Sequence, residues 1–237
     1  MLRSLLLQEL RQTDNMGHQL HNWLVNSIHD RELMRVVKIH FHGKLIDIGC
    51  GTKPYRKCLS GLVTEHVGVD HADCLHDKNH IDLLGTASCI PVESASFDCA
   101  LCTTVLEHIE EPESALRECR RVLKDGAVAV YSVPFIWHIH ERPRDFYRFT
   151  NYGLKYLFEK VGFEVLEIKP LSGFCVTFGQ LLVYFLYSFN VKPIKYIPVI
   201  PALGMLIQAV CYLLSKVDRS YIWTWAHIVV ARARKEA

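Results

Sequence analysis

The sequence predicts an α/β fold, a doubly wound and mostly parallel sheet with helices on both of its faces. Short apolar runs alternate with helical patterns from residue 44 to about residue 170, which is typical of parallel strands joined by right-handed crossover helices. The first run, Lys44–Ile48, passes directly into Gly49-Cys50-Gly51. Glycines at that point permit positive φ and a tight turn from strand to helix, so a ligand can lie against bare backbone.

The elements follow in order along one predicted domain, residues 1–237. Apolar residues recur at helical spacing through residues 1–40, so we expect N-terminal helices that lie over the ligand-binding edge of the sheet. Residues 41–170 form the predicted ligand-binding core, residues 171–221 an apolar helical insertion, and residues 222–231 the final strand. The strands are expected at 44–48, 66–70, a run ending at 81–83, 97–102, 127–133, 163–168 and 223–230. The helices between them are expected to begin near Pro54, Pro112 and Asn151.

Charge and cysteine content exclude several classes of protein. The net charge is only +2, so no basic surface is indicated and we expect no nucleic-acid partner. The nine cysteines are scattered and odd in number, unlike a secreted disulfide framework. With no signal peptide evident in the sequence, a cytoplasmic location is predicted.

Three acidic residues accompany the predicted strand ends. Asp47 precedes the glycine turn, Asp70 ends the second strand and Asp82 ends the third. A carboxylate can accept hydrogen bonds from both hydroxyls of a ribose, which suits a nucleotide-like ligand. Pro54 stands where a dinucleotide fingerprint has its third glycine, which argues against NAD or FAD. Singly, Asp47 could instead cap the turn and Asp82 could cap a helix.

The ordered set of motifs resembles the class I S-adenosylmethionine-dependent methyltransferases, specifically the type-11 group related to ubiquinone and menaquinone methyltransferases. The resemblance covers roughly residues 40–170. It implies a Rossmann-like sheet of seven strands with the last one antiparallel, and S-adenosylmethionine as cofactor. The matching stretches are Leu45–Thr52, Gly68–Asp70, Ile90–Asp98, Val105–Ile109 and Glu118–Gly126.

The resemblance also implies which residues surround the cofactor. Those of the glycine turn would lie along the methionine part, Asp70 would hold the ribose hydroxyls, and a residue ending the fourth strand would line the site. The full set is Asp47, Gly49, Cys50, Gly51, Asp70, His71 beside the adenine, Asp82 and Leu83 at the adenine edge, and Thr103.

The acceptor side of the site is predicted to follow the fourth and fifth strands. His108 has the type and place of a general base for a hydroxyl acceptor, or it orients the neighbouring loop. The loop from Pro134 to Arg148 combines arginines, histidines and aromatic rings, which suit carboxylate, phosphate and ring-containing acceptors. Its candidate substrate residues are His138, His140, Arg142, Arg144, Tyr147 and Arg148. Alternatively, Glu141 and Asp145 pair with the arginines in a structural lid. His138 and His140 lack a third ligand at a recognisable spacing, so no metal site is predicted.

Two apolar segments within residues 174–215 approach the length that spans a bilayer, but prolines and glutamines interrupt them. Three interpretations stay open: a hairpin docked on the inner face of the membrane, a buried cap on the sheet, or a dimer interface. Docking would give access to a lipid-linked or glycan-linked acceptor, whereas a small-molecule acceptor does not require docking.

Three other functions compete with methyl transfer. They are a non-catalytic S-adenosylmethionine-binding or scaffold protein, an NAD-dependent oxidoreductase and a spermidine-synthase-like transferase.

Overall fold

The computed structural model describes residues 20–73, 78–191 and 198–234. The strands are β1 (Lys44–Ile48), β2 (Glu65–Asp70), β3 (Leu83–Leu84), β4 (Phe97–Thr103), β5 (Leu123–Pro134), β6 (Phe163–Pro170) and β7 (Ala226–Ala233). The helices are α1 (Trp23–His40), α2 (Arg56–Leu59), α3 (Pro112–Val122), α4 (Asn151–Lys160), α5 (Phe174–Tyr187) and α6 (Val199–Leu214). Short 3₁₀ turns occupy Lys78–His80, Leu106–His108 and Tyr221–Trp223. The part of the predicted N-terminal helices that precedes residue 20 lies outside these ranges.

All seven strands form one sheet in the order β3-β2-β1-β4-β5-β7-β6. β1 pairs in parallel with β2 and β4, whereas β7 runs antiparallel to both β5 and β6. The predicted α/β class, with seven strands and an antiparallel last strand, is therefore confirmed. The C-terminal ends of β1, β2, β4 and β5 meet at one edge of the sheet, which we call the carboxyl edge. Ligands of open α/β sheets bind at such an edge.

Apolar layers cover both faces of the sheet. On one face, Ile46 and Ile48 of β1 pack with α3 and α4. On the other face, Leu45 of β1 and Val130 of β5 pack against α1. Each fully buried aliphatic side chain contributes about 1.5–3 kcal/mol relative to exposure. α1 lies on this face, and the position of the N-terminal helices over the ligand-binding edge stays a prediction.

Three predicted boundaries differ from the structure. β3 follows Asp82 instead of including it, because only Leu83 and Leu84 pair with β2. β5 begins at Leu123, since this residue pairs with Phe97 across a register shift, so the Lys124–Gly126 segment does not separate helix from strand. β7 begins at Ala226, three residues later than predicted, because Tyr221–Trp223 forms a 3₁₀ turn before it.

The apolar insertion is a pair of helices, α5 and α6, between β6 and β7. Their two glutamines bind the start of the N-terminal helix. Gln208 accepts from the Leu24 amide at 3.0 Å and donates to the Leu20 carbonyl at 3.0 Å. Gln180 donates to the His21 carbonyl at 2.8 Å. Buried amide side chains are stable only when hydrogen-bonded in this way, so the glutamines fix the insertion to the rest of the molecule.

The helices of the insertion have 14 and 16 residues. Across the described ranges, none of the helices has both the length and the apolarity that crossing a bilayer requires.

Candidate cofactor and acceptor site

The glycine turn follows β1 at the carboxyl edge. Gly49 has φ +68° and Gly51 has φ +48°, values that L-residues with side chains rarely adopt. The Gly49 amide donates to the Val69 carbonyl at 2.9 Å, which closes the turn against β2. A Cβ on Gly49 would also overlap the side chain of Val105. Backbone conformation and space therefore both require glycine at this position.

The carboxylate of Asp70 lies against this turn. One of its oxygens accepts from the Gly51 amide at 2.9 Å and the other accepts from the His71 amide at 2.8 Å. Asp70 ends β2 and is only 8% exposed. The structure thus brings together the turn, the acidic residue and His71, which the sequence placed on two separate strand ends.

Asp47 and Cys50 are buried next to the turn. The Asp47 carboxylate lies 2.8 Å from His66 Nε2, a partner that sequence reasoning did not identify. Burial, together with the neighbouring carboxylates, raises the pKa of the Cys50 thiol to about 12. Cys50 therefore contributes packing, since a thiol with this pKa supplies no thiolate at neutral pH.

Asp82 does not lie at a strand end. Its carboxylate forms an ion pair with the buried Lys53 and accepts from the Gly68 amide at 2.7 Å. Although burial opposes it, these contacts lower the pKa of Asp82. Leu83 pairs with Val69 inside the sheet. The placement of Asp82 at the end of the third strand is therefore wrong, because Lys53 and the Gly68 amide hold its carboxylate just before β3.

Thr103 ends β4 at the carboxyl edge, and the 3₁₀ turn Leu106–His108 follows it closely. The ring of His108 is fixed on one side, because its Nδ1 hydrogen-bonds to the Arg144 carbonyl. On the other side, its Nε2 lies 3.7 Å from an oxygen of Glu107 and 3.7 Å from an oxygen of Glu141.

The loop that follows β5 is clamped onto this 3₁₀ turn. The Glu107 carbonyl accepts from the amides of Phe146 and Tyr147, at 2.9 and 3.2 Å. The Tyr147 hydroxyl donates to the Glu110 carbonyl at 2.9 Å. The loop is thereby held against the first residues after β4.

The arginines of the loop differ in their surroundings. Arg148 binds Asp145 through two nitrogens, at 2.6 and 2.8 Å, and donates to the His138 carbonyl at 2.8 Å. Arg148 lowers the pKa of Asp145 well below its usual range. This is the structural ion pair that the sequence left open as an alternative. Arg142 and Arg144 are exposed to solvent.

Glu107 is a site residue that sequence reasoning missed. Its side chain is fully buried, and neither carboxylate oxygen has a hydrogen-bond partner among the described residues. Burial raises the pKa of Glu107 to about 8. One sequence feature could have identified Glu107 as a candidate site residue. It stands next to His108, just after a strand that ends at the carboxyl edge.

The loop also contacts the apolar insertion. The rings of His138 and Tyr184 have centroids 4.2 Å apart, and those of Trp137 and Tyr184 are 5.3 Å apart. Since Tyr184 lies on α5, the insertion lies directly against this loop.

Comparisons with known proteins agree with this geometry. A family model of the type-11 methyltransferase domain matches residues 46–131. The ubiquinone biosynthesis O-methyltransferase of Idiomarina loihiensis is 25% identical over 177 residues, covering 58% of this chain and 70% of the relative. The chain spans 59%, 52% and 50% of the length of three further curated O-methyltransferases of ubiquinone biosynthesis.

Solved structures share the fold at low identity. The cyclase SpnF superposes with a TM-score of 0.57 at 20% identity, over 90% of this chain and 84% of that one. A Haemonchus contortus phosphoethanolamine N-methyltransferase, in complex with phosphomonomethylethanolamine and S-adenosylhomocysteine, gives 0.56 at 15% identity, over 95% of this chain and 59% of that one.

The matched methyltransferase domain and the methyltransferases among the relatives identify the class as the S-adenosylmethionine-dependent methyltransferases, and the sheet has their class I fold. Within that class, residues 46–131, which run from β1 into β5, match the model of the type-11 methyltransferase domain. A methyltransferase domain of this type implies S-adenosylmethionine as the cofactor.

Proposed function

We propose that this chain transfers the methyl group of S-adenosylmethionine to a small-molecule or lipid-linked acceptor. The observation that carries the proposal is the contact between Asp70 and the Gly51 amide, which holds a buried carboxylate beside a glycine turn; a carboxylate accepts hydrogen bonds from both hydroxyls of a ribose. Asp47, Gly49, Cys50 and Gly51 would border the methionine part, and Asp70 would take the ribose hydroxyls. His71, Leu83 and Thr103 would border the rest of the cofactor. Asp82 is not among the proposed cofactor-binding residues, because its carboxylate forms an ion pair with Lys53.

The chain's main chemical tasks are positioning and exclusion of water. The methyl of a sulfonium is already electrophilic, so an acceptor held in line with the S–C bond gains several kcal/mol from orientation alone. The clamped loop would supply this alignment through His138, His140, Tyr147 and Arg148, with Arg142 and Arg144 available to anionic groups. His108 Nδ1 faces a carbonyl, so its Nε2 carries the lone pair that a general base needs.

Calorimetry followed by methyl transfer tests the proposal. We expect heat of binding with S-adenosylmethionine and its demethylated product, and none with NAD. Transfer of a labelled methyl group to components of a membrane extract would then identify the acceptor. Binding of NAD alone would support the oxidoreductase alternative. Cofactor binding without transfer to any extract component would favour the non-catalytic alternative.

For the acceptor, we propose access from a membrane surface through the insertion. Both helices of the insertion expose apolar side chains at helical spacing. These are Phe174, Phe178, Leu182 and Phe185 on α5, and Val199, Leu203, Leu206, Val210 and Leu213 on α6. A helix that is apolar on its exposed side is stable only against another apolar phase. The helices are too short to span, so the expected position lies in the plane of the interface.

Charge favours a lipid surface over a second protein chain. Within residues 171–223 the basic residues are Lys192, Lys195, Lys216 and Arg219, and the only acidic residue is Asp218. Lys216 and Arg219 are exposed just after α6. Exposed lysines and arginines beside an apolar helix attract anionic headgroups. Tyr184 then connects the docked insertion to the acceptor loop.

Vesicle flotation tests docking. Wild-type protein should bind vesicles of phosphatidylcholine with phosphatidylglycerol, and less strongly at high salt. The triple variant Phe185→Ser, Leu206→Ser and Leu213→Ser should lose most of this binding, because each buried apolar side chain contributes about 1.5–3 kcal/mol. Ile39→Ser is the matched control, since Ile39 is equally exposed on α1. A lipid-free dimer that the triple variant abolishes would contradict docking and identify a dimer interface.

A further inference from the structure

Three side chains converge beside β4 without a hydrogen bond between them. Glu107, His108 and His140 each offer a ligand atom, and these atoms lie within 4.8 Å of one another. Both oxygens of the buried Glu107 carboxylate, and Nε2 of His108, have no hydrogen-bond partner among the described residues. The rings of His108 and His140 meet edge to face, with centroids 4.8 Å apart.

The backbone fixes which nitrogen of each ring carries the hydrogen. Nδ1 of His108 faces the Arg144 carbonyl, and Nδ1 of His140 lies 3.2 Å from the His138 carbonyl. A carbonyl oxygen can only accept, so both Nδ1 atoms donate and both Nε2 atoms present lone pairs. These two Nε2 atoms point at one oxygen of Glu107, at 3.7 and 3.9 Å.

A positive charge at the centre of two imidazole lone pairs and a buried carboxylate would stabilise this arrangement. Unpartnered buried acceptors each cost about 1–3 kcal/mol, and more for a charged group. We propose that Glu107, His108 and His140 form a binding site for a divalent transition-metal ion. Two histidines and one carboxylate are a known ligand set for such ions, and they leave coordination positions open.

The geometry fits an ion of this class. Nitrogen and oxygen ligands about 2.0–2.2 Å from a metal lie about 3.0–3.4 Å apart, so the histidine–glutamate distances of 3.7 and 3.9 Å exceed the bound values by about 0.3–0.9 Å. Rotation of the side chains on metal binding would have to close that difference. Metal-binding histidines usually donate their second nitrogen to a carbonyl or carboxylate, as both do here. Glu141, whose carboxylate lies 3.7 Å from His108 Nε2, offers a further oxygen.

The position suggests what the ion would do, and this role rests on the methyl transfer proposed above. The side chain of Val105 lies against Gly49 of the glycine turn. Glu107, the first of the proposed metal ligands, follows two residues later in the chain. With the ion bound, His108 Nε2 would be a metal ligand and not the general base named above, so the ion would instead hold an acceptor oxygen as an oxyanion, its proton having passed to water. The oxygen–methyl bond then forms as the sulfonium–methyl bond breaks, leaving a neutral thioether.

Equilibrium dialysis of the full, tag-free chain against Zn²⁺ and Co²⁺ tests the site. Wild-type protein should retain one ion per chain, and its melting temperature should rise with the ion. Glu107→Gln and His140→Ala should each weaken binding at least about 10-fold, since they remove a ligand instead of an outer partner. His138→Ala is the matched control: it is a neighbouring histidine of the same loop outside the trio.

The outcomes separate this inference from the proposed function. No ion on the wild-type chain, or unchanged binding by both variants, would overturn the site and leave Glu107 as a protonated acid. His140 is partly exposed, so His140→Ala stays informative if Glu107→Gln fails to fold. Calorimetry with S-adenosylmethionine on the same samples reports the cofactor site separately. Metal binding without cofactor binding would keep the inference and contradict the methyltransferase proposal.

Discussion

Asp70→Asn should weaken the binding of S-adenosylmethionine about 100-fold or more. In the proposed complex the carboxylate accepts both ribose hydroxyls, and each hydrogen bond to a charged acceptor contributes about 1.5–3 kcal/mol. An amide has the same shape but one acceptor oxygen and no charge. Losing most of one such bond and weakening the other amounts to about 3 kcal/mol or more, which is roughly two orders of magnitude in Kd. Calorimetric titration measures this directly.

The native contacts of Asp70 make a control necessary. Its two oxygens accept from the amides of Gly51 and His71, so asparagine also leaves one of these donors without its partner. Thermal melting of the variant separates an unfolded turn from a folded turn that no longer holds ribose. Asp73→Asn removes an exposed acidic residue three positions later and should leave Kd unchanged. An Asp70→Asn protein that binds within about threefold of wild type would contradict the proposed ribose contact.

The features that the sequence predicted well are those whose signals are local. The apolar run 44–48, its glycine turn and the proline before Glu113 each mark an element by their own conformational preference, and the structure has β1, the turn and α3 there. Parallel pairing then places strand ends at one edge. This is why the association of Asp70 with the turn could be expected from two distant segments.

The errors arise where a tertiary partner decides the outcome. An acidic residue next to an apolar run is typical of a strand end, so Asp82 was predicted to end the third strand. In the structure its carboxylate forms an ion pair with Lys53, and Asp82 lies just before β3. Glu107 looks like an ordinary exposed residue in a short polar segment, and only the loop packed over it makes it buried. Whether Arg148 would bind substrate or Asp145 depended on side-chain geometry that spacing cannot supply. Each case involves a charge whose partner comes from another element.

The glycine turn itself provides the second large effect. Gly49→Ala should lower the free energy of unfolding by about 2–5 kcal/mol. Left-handed backbone costs a residue with a Cβ about 1–2 kcal/mol, and forcing that Cβ into a packed position costs about 1–3 kcal/mol more. Denaturant unfolding measures the loss. Gly61→Ala is the matched control, because Gly61 lacks positive φ and an added Cβ there meets none of the described atoms within 4 Å.

A double variant separates the free-energy cost of the steric overlap from that of the left-handed backbone. Since the added Cβ would overlap Val105, Val105→Ala in the Gly49→Ala background should remove the steric part and leave the backbone strain. The double variant should then be more stable than the sum of the single effects by about 1–3 kcal/mol. Strict additivity would contradict the overlap and attribute the whole loss to φ. In either case the strained turn should bind S-adenosylmethionine more weakly, because the amides of residues 49–51 define the surface on which the cofactor is proposed to lie.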